Sequence, residues 1–213
     1  MKKMPLLLPG ALLAPALLQA CMPLMMIGAG AAVVSSEDRR TTGTQVEDQG
    51  IELRVGNRVD DRFGEKVHIN ITSYNRYMLL TGEAPDEATR AEIEKIARGA
   101  PNVLGVTNDL QVAGKSSMGS RSNDTYLTSK VKTRFLDSGK VNAIHVKVVT
   151  EAAVVYLLGV VTEQEGGDAV ELARTTGGVR KVVKMFEYCK TTDEICQPRP
   201  APKGTEKRVR NSP

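Results

Sequence analysis

The chain has 213 residues, of which 41% are hydrophobic and 25% charged, and its formal net charge is +4. Once a signal segment and tails are set aside, this length leaves room for one medium domain or two small ones. Tryptophan is absent and aromatic residues make up only 4%, so aliphatic side chains must build the core.

The chain begins with the pattern of a secretory signal. Two lysines follow Met1, an apolar run fills residues 4–18, and Ala20 is the small residue before Cys21. The segment Leu18-Gln19-Ala20-Cys21 resembles the lipobox of bacterial lipoproteins, which implies cleavage before the cysteine and its lipidation. We therefore predict a signal peptide over residues 1–20 and a mature chain that begins at lipidated Cys21.

An uncleaved membrane anchor is the alternative, because residues 22–34 are again mostly apolar and the whole stretch could span a bilayer. Prolines argue against one smooth helix, since each removes a backbone donor. They stand at Pro5, Pro9, Pro15 and Pro23.

Several acyl chains at Cys21 would hold the protein stably on a membrane. Met22 stands where a lipoprotein retained in the inner membrane usually has aspartate, so the resemblance implies an outer-membrane, lipid-anchored protein facing the periplasm.

The rest of the chain contains one unit twice. Residues 67–71 (VHINI) match residues 144–148 (IHVKV), and Leu-Thr-Gly at 80–82 matches Leu-Leu-Gly at 157–159. Each copy opens with apolar residues at every fourth position, which predicts an amphipathic helix. These residues are Ile51, Val55 and Val59 in the first copy, and Leu127, Val131 and Phe135 in the second.

Two alternating strands follow in each copy, joined by a turn at Asn75-Arg76 or at Ala152-Ala153. Further along, the pattern predicts second helices over residues 85–99 and 162–177, and closing strands over residues 103–112 and 179–188. The order helix, strand, strand, helix, strand predicts an α+β fold, in which each unit packs two helices on one face of a small three-stranded sheet.

The hairpin, helix and closing strand of the second copy, from Val146 to Val182, resemble the BON domain of bacterial envelope proteins. Two such domains behind a lipobox resemble the dual BON-domain outer-membrane lipoproteins. Residues 38–43 (DRRTTG) resemble the signature that precedes the domains in that family, and Tyr74-Asn75-Arg76 resembles its first hairpin turn. The resemblance implies two tandem BON domains and a role in envelope integrity.

The predicted organisation follows from the repeat and the resemblance. It consists of a signal peptide (1–20), an N-terminal linker (21–45), domain 1 (46–113), a second linker (114–122), domain 2 (123–190) and a basic, proline-rich tail (191–213).

The outer sheet faces of the two copies differ. Tyr77, Thr81 and Glu83 share a face that we expect to be solvated, whereas the corresponding face of the second copy is apolar. Such a face needs a cover. We expect a contact between the domains, with a partner surface as the alternative.

The chain has three cysteines. Lipidation of Cys21 would leave Cys189 and Cys196 as a pair in an oxidising compartment, so we predict a disulfide, with two free thiols as the alternative. No histidine or third thiol lies near the pair in sequence, and we predict no metal site.

The sequence offers little for catalysis. His68 and His145 hold the same position in the repeat, which indicates a duplicated structural role rather than acid–base chemistry. No glycine-rich phosphate loop precedes a helix. We predict that the protein is not an enzyme and binds no cofactor.

The first helix of domain 2, predicted over residues 124–138, carries the candidate binding site. Tyr126, Lys130 and Arg134 follow one another at four-residue spacing beside the apolar stripe, with Lys132 and Lys140 near them. An aromatic ring next to cations suits the head-group region of an anionic membrane. The family resemblance implies phosphatidylglycerol contact through this helix, with an aromatic at the position of Tyr126.

Domain 1 has Gly50 at the position equivalent to Tyr126, so its first helix is expected to bind weakly or not at all. A basic surface attracts any polyanion, including nucleic acid. The lipobox predicts that the chain lies outside the cytoplasm, so we expect anionic lipid rather than nucleic acid as its partner. The sequence therefore predicts an outer-membrane lipoprotein that maintains envelope integrity by binding anionic phospholipid. The alternative is a structural protein that docks an outer-membrane assembly protein or a peptidoglycan-linked division protein.

Overall fold

The computed structural model describes residues 38–197. The predicted signal peptide, Cys21 and the end of the basic tail lie outside the described residues. Within them, the chain forms two α+β units in the predicted order of elements. No helix between residues 38 and 197 combines the length and the hydropathy that a membrane span requires.

Domain 1 contains two helices and a small mixed sheet. Its elements are α1 (Thr42–Phe63), β1 (His68–Tyr74), β2 (Tyr77–Ala84), α2 (Glu87–Arg98), β3 (Gly105–Asn108) and β4 (Gln111–Val112). Strand β2 is central: β1 pairs with it antiparallel, and β3 and β4 pair with it in parallel, one after the other. The closing strand, expected as one run over residues 103–112, is therefore interrupted.

Domain 2 repeats this arrangement with a continuous closing strand. Its elements are α3 (Met118–Ser138), β5 (Val146–Glu151), β6 (Val154–Val161), α4 (Glu163–Arg174) and β7 (Lys181–Tyr188). Helix α3 ends where expected but begins at Met118 rather than at Asp124. The reason is an N-cap in the predicted linker, where the Ser117 side chain accepts a hydrogen bond from the Ser120 amide.

The predicted apolar stripes build the core of each domain. Ile51 and Val55 of α1 are 0% exposed, and Val131 and Phe135 of α3 are equally buried. They pack against the inward face of the sheet, for example against Leu80 in domain 1. The helical periodicity therefore fixes which side of α1 and α3 faces inward, and with it which side faces out.

A buried aspartate near the start of each first helix holds the hairpin turn of the same domain. The carboxylate of Asp48 accepts hydrogen bonds from the amides of Asn75 (2.9 Å) and Arg76 (2.7 Å). Asp124 does the same for Ala152 (2.9 Å) and Ala153 (2.8 Å). All four turn residues have positive φ, between 48° and 68°. The aspartates therefore stabilise a turn that costs free energy for residues with a Cβ.

The two sheets contact each other through the faces that the helices do not cover. Tyr74 and Leu79 of domain 1 form a buried cluster with Tyr156, Leu158 and Val160 of domain 2. The apolar outer face of domain 2 is thus an interdomain contact, as expected.

The expectation for the first copy was wrong. Thr81 is 1% and Glu83 7% exposed, and only Tyr77, at 44%, is solvated. Domain 2 lies over this face, and one polar contact between the two domains is the hydrogen bond from Asn70 to Glu151 at 2.6 Å.

A strap of residues 38–40 joins the domains just before α1. The guanidinium of Arg39 donates to Val160 O (2.9 Å) and to both carboxylate oxygens of Glu165 in domain 2. Arg40 pairs with Asp48 of domain 1 at 2.9 Å. Burial alone would raise the pKa of Glu165, but the Arg39 guanidinium and a backbone hydrogen bond outweigh it and lower the pKa to about 2.

Candidate functional site

Helix α3 presents Tyr126 to solvent. Its inward residues Leu127, Val131 and Phe135 are at most 1% exposed, so the rotation of the helix about its axis is fixed by the core. Tyr126 precedes this stripe by one position, and 61% of it is exposed. The ring belongs to the surface and contributes little to the packing of domain 2.

Of the predicted cations, Lys130 lies beside that ring, and Arg134 lies one turn beyond Lys130. The ammonium of Lys130 is 5.4 Å from the centroid of Tyr126 and donates to Gly177 O at 2.8 Å. Arg134, one turn further on, donates from Nη1 to Leu172 O at 2.8 Å. Both cations therefore interact with the C-terminal end of α4, where positive charge is favourable.

The other two predicted cations lie elsewhere. Lys132 follows Lys130 by about 200° around the helix and borders a cavity between the domains, together with Asn70 and Glu151. Lys140 follows the end of the helix and borders a second cavity with Arg39. Tyr126, Lys130 and Arg134 lie on one side of α3, one turn apart from each other. Lys132 and Lys140 do not lie on that side, because residues that are close in sequence point in different directions around a helix.

The sequence analysis missed two exposed apolar side chains on the same helix. Met118 is 75% and Leu136 70% exposed. Leu136 follows Tyr126 by ten positions and lies about 80° from it around the axis. The sequence could have revealed them, since neither residue lies at a position of the inward apolar stripe. The solvent side of α3 thus carries three exposed apolar side chains, Met118, Tyr126 and Leu136, in addition to the cations.

The equivalent surface of domain 1 is different. Gly50 replaces the tyrosine, and the equivalent of Lys130 is Arg54, which is paired with Glu47 at 2.5 Å. Hydrogen bonds from Asn102 and Arg54 lower the pKa of Glu47, so this carboxylate remains charged and neutralises the arginine. Helix α1 therefore lacks the ring, and its cation at the position of Lys130 is neutralised, although Arg58, at the position of Arg134, is exposed.

The two histidines of the repeat both face carboxylates. Nδ1 of His68 is 3.0 Å from Oε2 of Glu83, and Nδ1 of His145 is 3.7 Å from Oε1 of Glu165. Only the first pair is joined by another carboxylate: ligating atoms of His68, Glu83 and Glu151 all lie within 4.8 Å of one another. Burial raises the pKa of Glu151, and the nearby Glu83 raises it further, against a hydrogen bond from Asn70.

A disulfide joins Cys189, directly after β7, to Cys196, and the two Cα atoms are 6.2 Å apart. It holds a short 3₁₀ helix, Glu194–Cys196, in the part of the tail that the structure describes. The disulfide thus ties the beginning of the predicted tail to the end of β7, and Cys196 is buried there.

The fold agrees with a family comparison. A family model for the BON domain matches residues 47–114 and again residues 123–190. The chain belongs to the BON-domain family. The two matched segments correspond to the two α+β units, so α1 opens BON domain 1 and α3 opens BON domain 2.

Several curated proteins are similar to this BON protein. "Outer membrane lipoprotein DolP" of Haemophilus influenzae is 36% identical over 80% of this chain and 90% of its own length. "21 kDa hemolysin" of Actinobacillus pleuropneumoniae is 35% identical over 71% of this chain and 79% of its own. "Osmotically-inducible protein Y" of Escherichia coli is 31% identical over 72% and 78%. These matches place the chain among BON proteins of the bacterial envelope.

Proposed function

We propose that this protein is a lipid-anchored lipoprotein of the outer membrane, facing the periplasm, which maintains envelope integrity by binding anionic phospholipid through α3. The observation that carries the proposal is the exposed ring of Tyr126 with the ammonium of Lys130 5.4 Å from its centroid. In a membrane the ring would lie at head-group depth and the cations would meet phosphate.

The exposed leucine supports the same proposal. Leu136 is 70% exposed on the solvent side of α3, about 80° around the axis from Tyr126. Exposed apolar side chains on one helix gain free energy when a bilayer covers them, by about 25 cal/mol for each Å² of apolar surface removed from water. Binding by α3 would therefore combine burial of these side chains with attraction to anionic head groups.

The cations of α3 act from fixed positions. Among residues 38–197, Arg134 donates from Nη1 to Leu172 O and to the Thr176 hydroxyl, so its remaining N–H groups can face a phosphate. Lys130 donates to Gly177 O, which is a neutral acceptor. A side chain that is already ordered loses less conformational entropy when it binds. Binding rather than catalysis is thus the activity that this surface supports.

The test is co-flotation of the anchor-free chain with vesicles of phosphatidylglycerol and phosphatidylcholine. Tyr126→Ala and Leu136→Ala are each expected to weaken binding to anionic vesicles by roughly fivefold, which corresponds to about 1 kcal/mol. Lys130→Gln is expected to do the same through loss of one near-surface charge. The glutamine avoids an acidic group at the C-terminal end of α4, where it would destabilise the fold.

Leu53→Ala is the matched control. Leu53 is 66% exposed on α1, so the substitution removes as much apolar surface from the helix that lacks the tyrosine, and binding is expected to stay unchanged. Equal binding of the Tyr126, Leu136 and Lys130 variants and the parent, or equal binding to neutral vesicles, would exclude α3 as the lipid site. That result would favour the alternative, in which the domains dock a protein partner.

A further inference from the structure

A group of metal-ligating side chains lies at the junction of the two domains, away from α3's solvent face. His68 begins β1 and is paired in the sheet register with Glu83 near the end of β2. Glu151 ends β5 and comes from the other domain. Their ligating atoms all lie within 4.8 Å of one another. The β1–β2 hairpin places His68 beside Glu83, and the packing of the two sheets brings Glu151 to them.

The two carboxylates are buried without a full counter-charge. Glu83 is 7% and Glu151 6% exposed. Among residues 38–197, neither forms an ion pair with a lysine or arginine, and His68 is the ionisable partner of Glu83. Two carboxylates removed from water are costly unless a positive charge compensates them. A divalent cation between them would supply that charge.

Neighbouring groups hold the two carboxylates in place through hydrogen bonds. Asn70 donates from Nδ2 to Oε2 of Glu151, and the amide of Ser116 donates to Oε2 of Glu83 at 3.1 Å. These hydrogen bonds orient the carboxylates in the way that outer-shell partners orient metal ligands. A cavity of about 460 Å³, bordered by His68 and Glu151, leads to the group from solvent.

A separate observation marks the same place. Thr81 is 1% exposed, and its hydroxyl has no hydrogen-bond partner among the described residues. Thr81 lies on the same sheet face, two positions before Glu83 and directly opposite Asn70 in the register. Buried hydroxyl groups are normally satisfied by protein or water. A metal-bound water at this junction would give the hydroxyl a partner.

We propose that His68, Glu83 and Glu151 form a binding site for a divalent transition-metal ion of the Zn²⁺ type. The three side chains would act as protein ligands, and water would take the fourth position. One imidazole nitrogen with two carboxylates suits Zn²⁺, whereas Ca²⁺ and Mg²⁺ prefer oxygen alone. Because the ligands come from both domains, the bound ion would fasten the two BON domains to each other.

The site requires a small contraction on binding. Ligands about 2.1 Å from a tetrahedral zinc are roughly 3.4 Å apart, and the group now spans up to 4.8 Å. Rotation of the glutamate side chains closes this difference without moving the sheets. The hydrogen bond between His68 and Glu83 would be exchanged for two metal bonds.

The experiment is a Zn²⁺ titration of the purified, lipidated protein in detergent, against a chromophoric chelator and after removal of metal. One Zn²⁺ is expected per chain. His68→Gln and Glu151→Gln should each weaken binding more than 100-fold, beyond the roughly 10- to 100-fold loss typical of a second-shell change. Asn70→Ala should fall within that smaller range. Excess Ca²⁺ should not displace the zinc.

His145→Gln is the matched control, because His145 holds the same place in the other copy of the repeat and also faces a carboxylate. It should bind Zn²⁺ as the parent does. Zinc should also raise the melting temperature of the parent and of His145→Gln, but not that of Glu151→Gln, with circular dichroism checking that each variant is folded. No bound zinc, zinc binding that survives both His68→Gln and Glu151→Gln, loss of binding in His145→Gln, or displacement by Ca²⁺ would each overturn the proposal.

Discussion

Removal of the Asp124 carboxylate tests whether the hairpin of BON domain 2 depends on its helix. In Asp124→Ala the amides of Ala152 and Ala153 lose their acceptor, while the turn between β5 and β6 keeps its positive φ angles of 48° and 60°. Alanine in the left-handed region costs about 1 to 2 kcal/mol. The carboxylate offsets that strain, so its loss should destabilise the domain directly.

The magnitude follows from two hydrogen bonds to a charged acceptor, each worth about 1.5 to 3 kcal/mol. Asp124 itself is 5% exposed, but Ala152 lies at the surface, so water can take over part of its bond. We therefore expect a loss of about 2 to 4 kcal/mol in the free energy of unfolding. Asp124→Asn keeps one good acceptor oxygen and should lose about half as much.

Urea unfolding of the anchor-free chain measures this loss. Far-UV circular dichroism is the suitable probe, since the chain has no tryptophan. Asp137→Ala on the same helix is the control, because Asp137 is exposed and its removal should change stability by no more than about 0.5 kcal/mol. If Asp124→Ala unfolds at the same urea concentration and with the same slope as Asp137→Ala, the carboxylate does not stabilise the turn.

Three further predictions concern stability. Gly167→Ala, in α4, should raise the free energy of unfolding by about 1 kcal/mol, because a Cβ there meets nothing within 4 Å; Gly166→Ala should not, because its Cβ would lie 3.1 Å from a tyrosine ring carbon of β7. Thermal melts of the two variants should show a higher melting temperature for Gly167→Ala than for Gly166→Ala. Ala153→Gly should stabilise the turn by up to about 1 kcal/mol, measured by urea unfolding, and a loss would contradict the strain argument. The pKa of Glu165, about 2 in the folded protein, is below its unfolded value of about 4.3; its stabilising effect is complete above about pH 5 and disappears as the pH falls towards 2. Arg39→Met should therefore lose about 1 to 2 kcal/mol at pH 7, after allowance for solvent screening, and clearly less at pH 2.5, where most of the ion-pair effect has gone but the hydrogen bond to Val160 O is still removed.

The order of elements was predictable because each domain has one helix-covered sheet face, and hydrophobic periodicity reports that face. The interruption of the closing strand of domain 1 could not be predicted from the sequence. Leu110 turns into the core, with 2% exposed, and Asp109 accepts a hydrogen bond from Tyr156 of domain 2. These long-range contacts end β3 at Asn108, and the apolar pattern of residues 103–112 contains no sign of them.

The outer sheet face of domain 1 shows the same limit. An alternating strand tells which residues share a face, but not whether another domain covers it. Thr81 and Glu83 have the polarity of solvated residues and are nevertheless buried. Similarly, the grouping of His68 with Glu151 depends on how the sheets pack, which no local spacing encodes. Tyr126, by contrast, could be placed at the surface from the helical stripe alone.

The sheet contact also explains why the helices are available for binding. Because the two BON domains meet through Leu79 and Leu158 on their uncovered sheet faces, the helices α1 and α3 keep their outward sides exposed. The copies have then diverged: α1 carries Gly50 and an arginine neutralised by Glu47, whereas α3 carries Tyr126 beside Lys130. Duplication of the fold thus provides two helices in equivalent positions, and the second carries the exposed ring beside a lysine on which the proposed contact with anionic lipid rests.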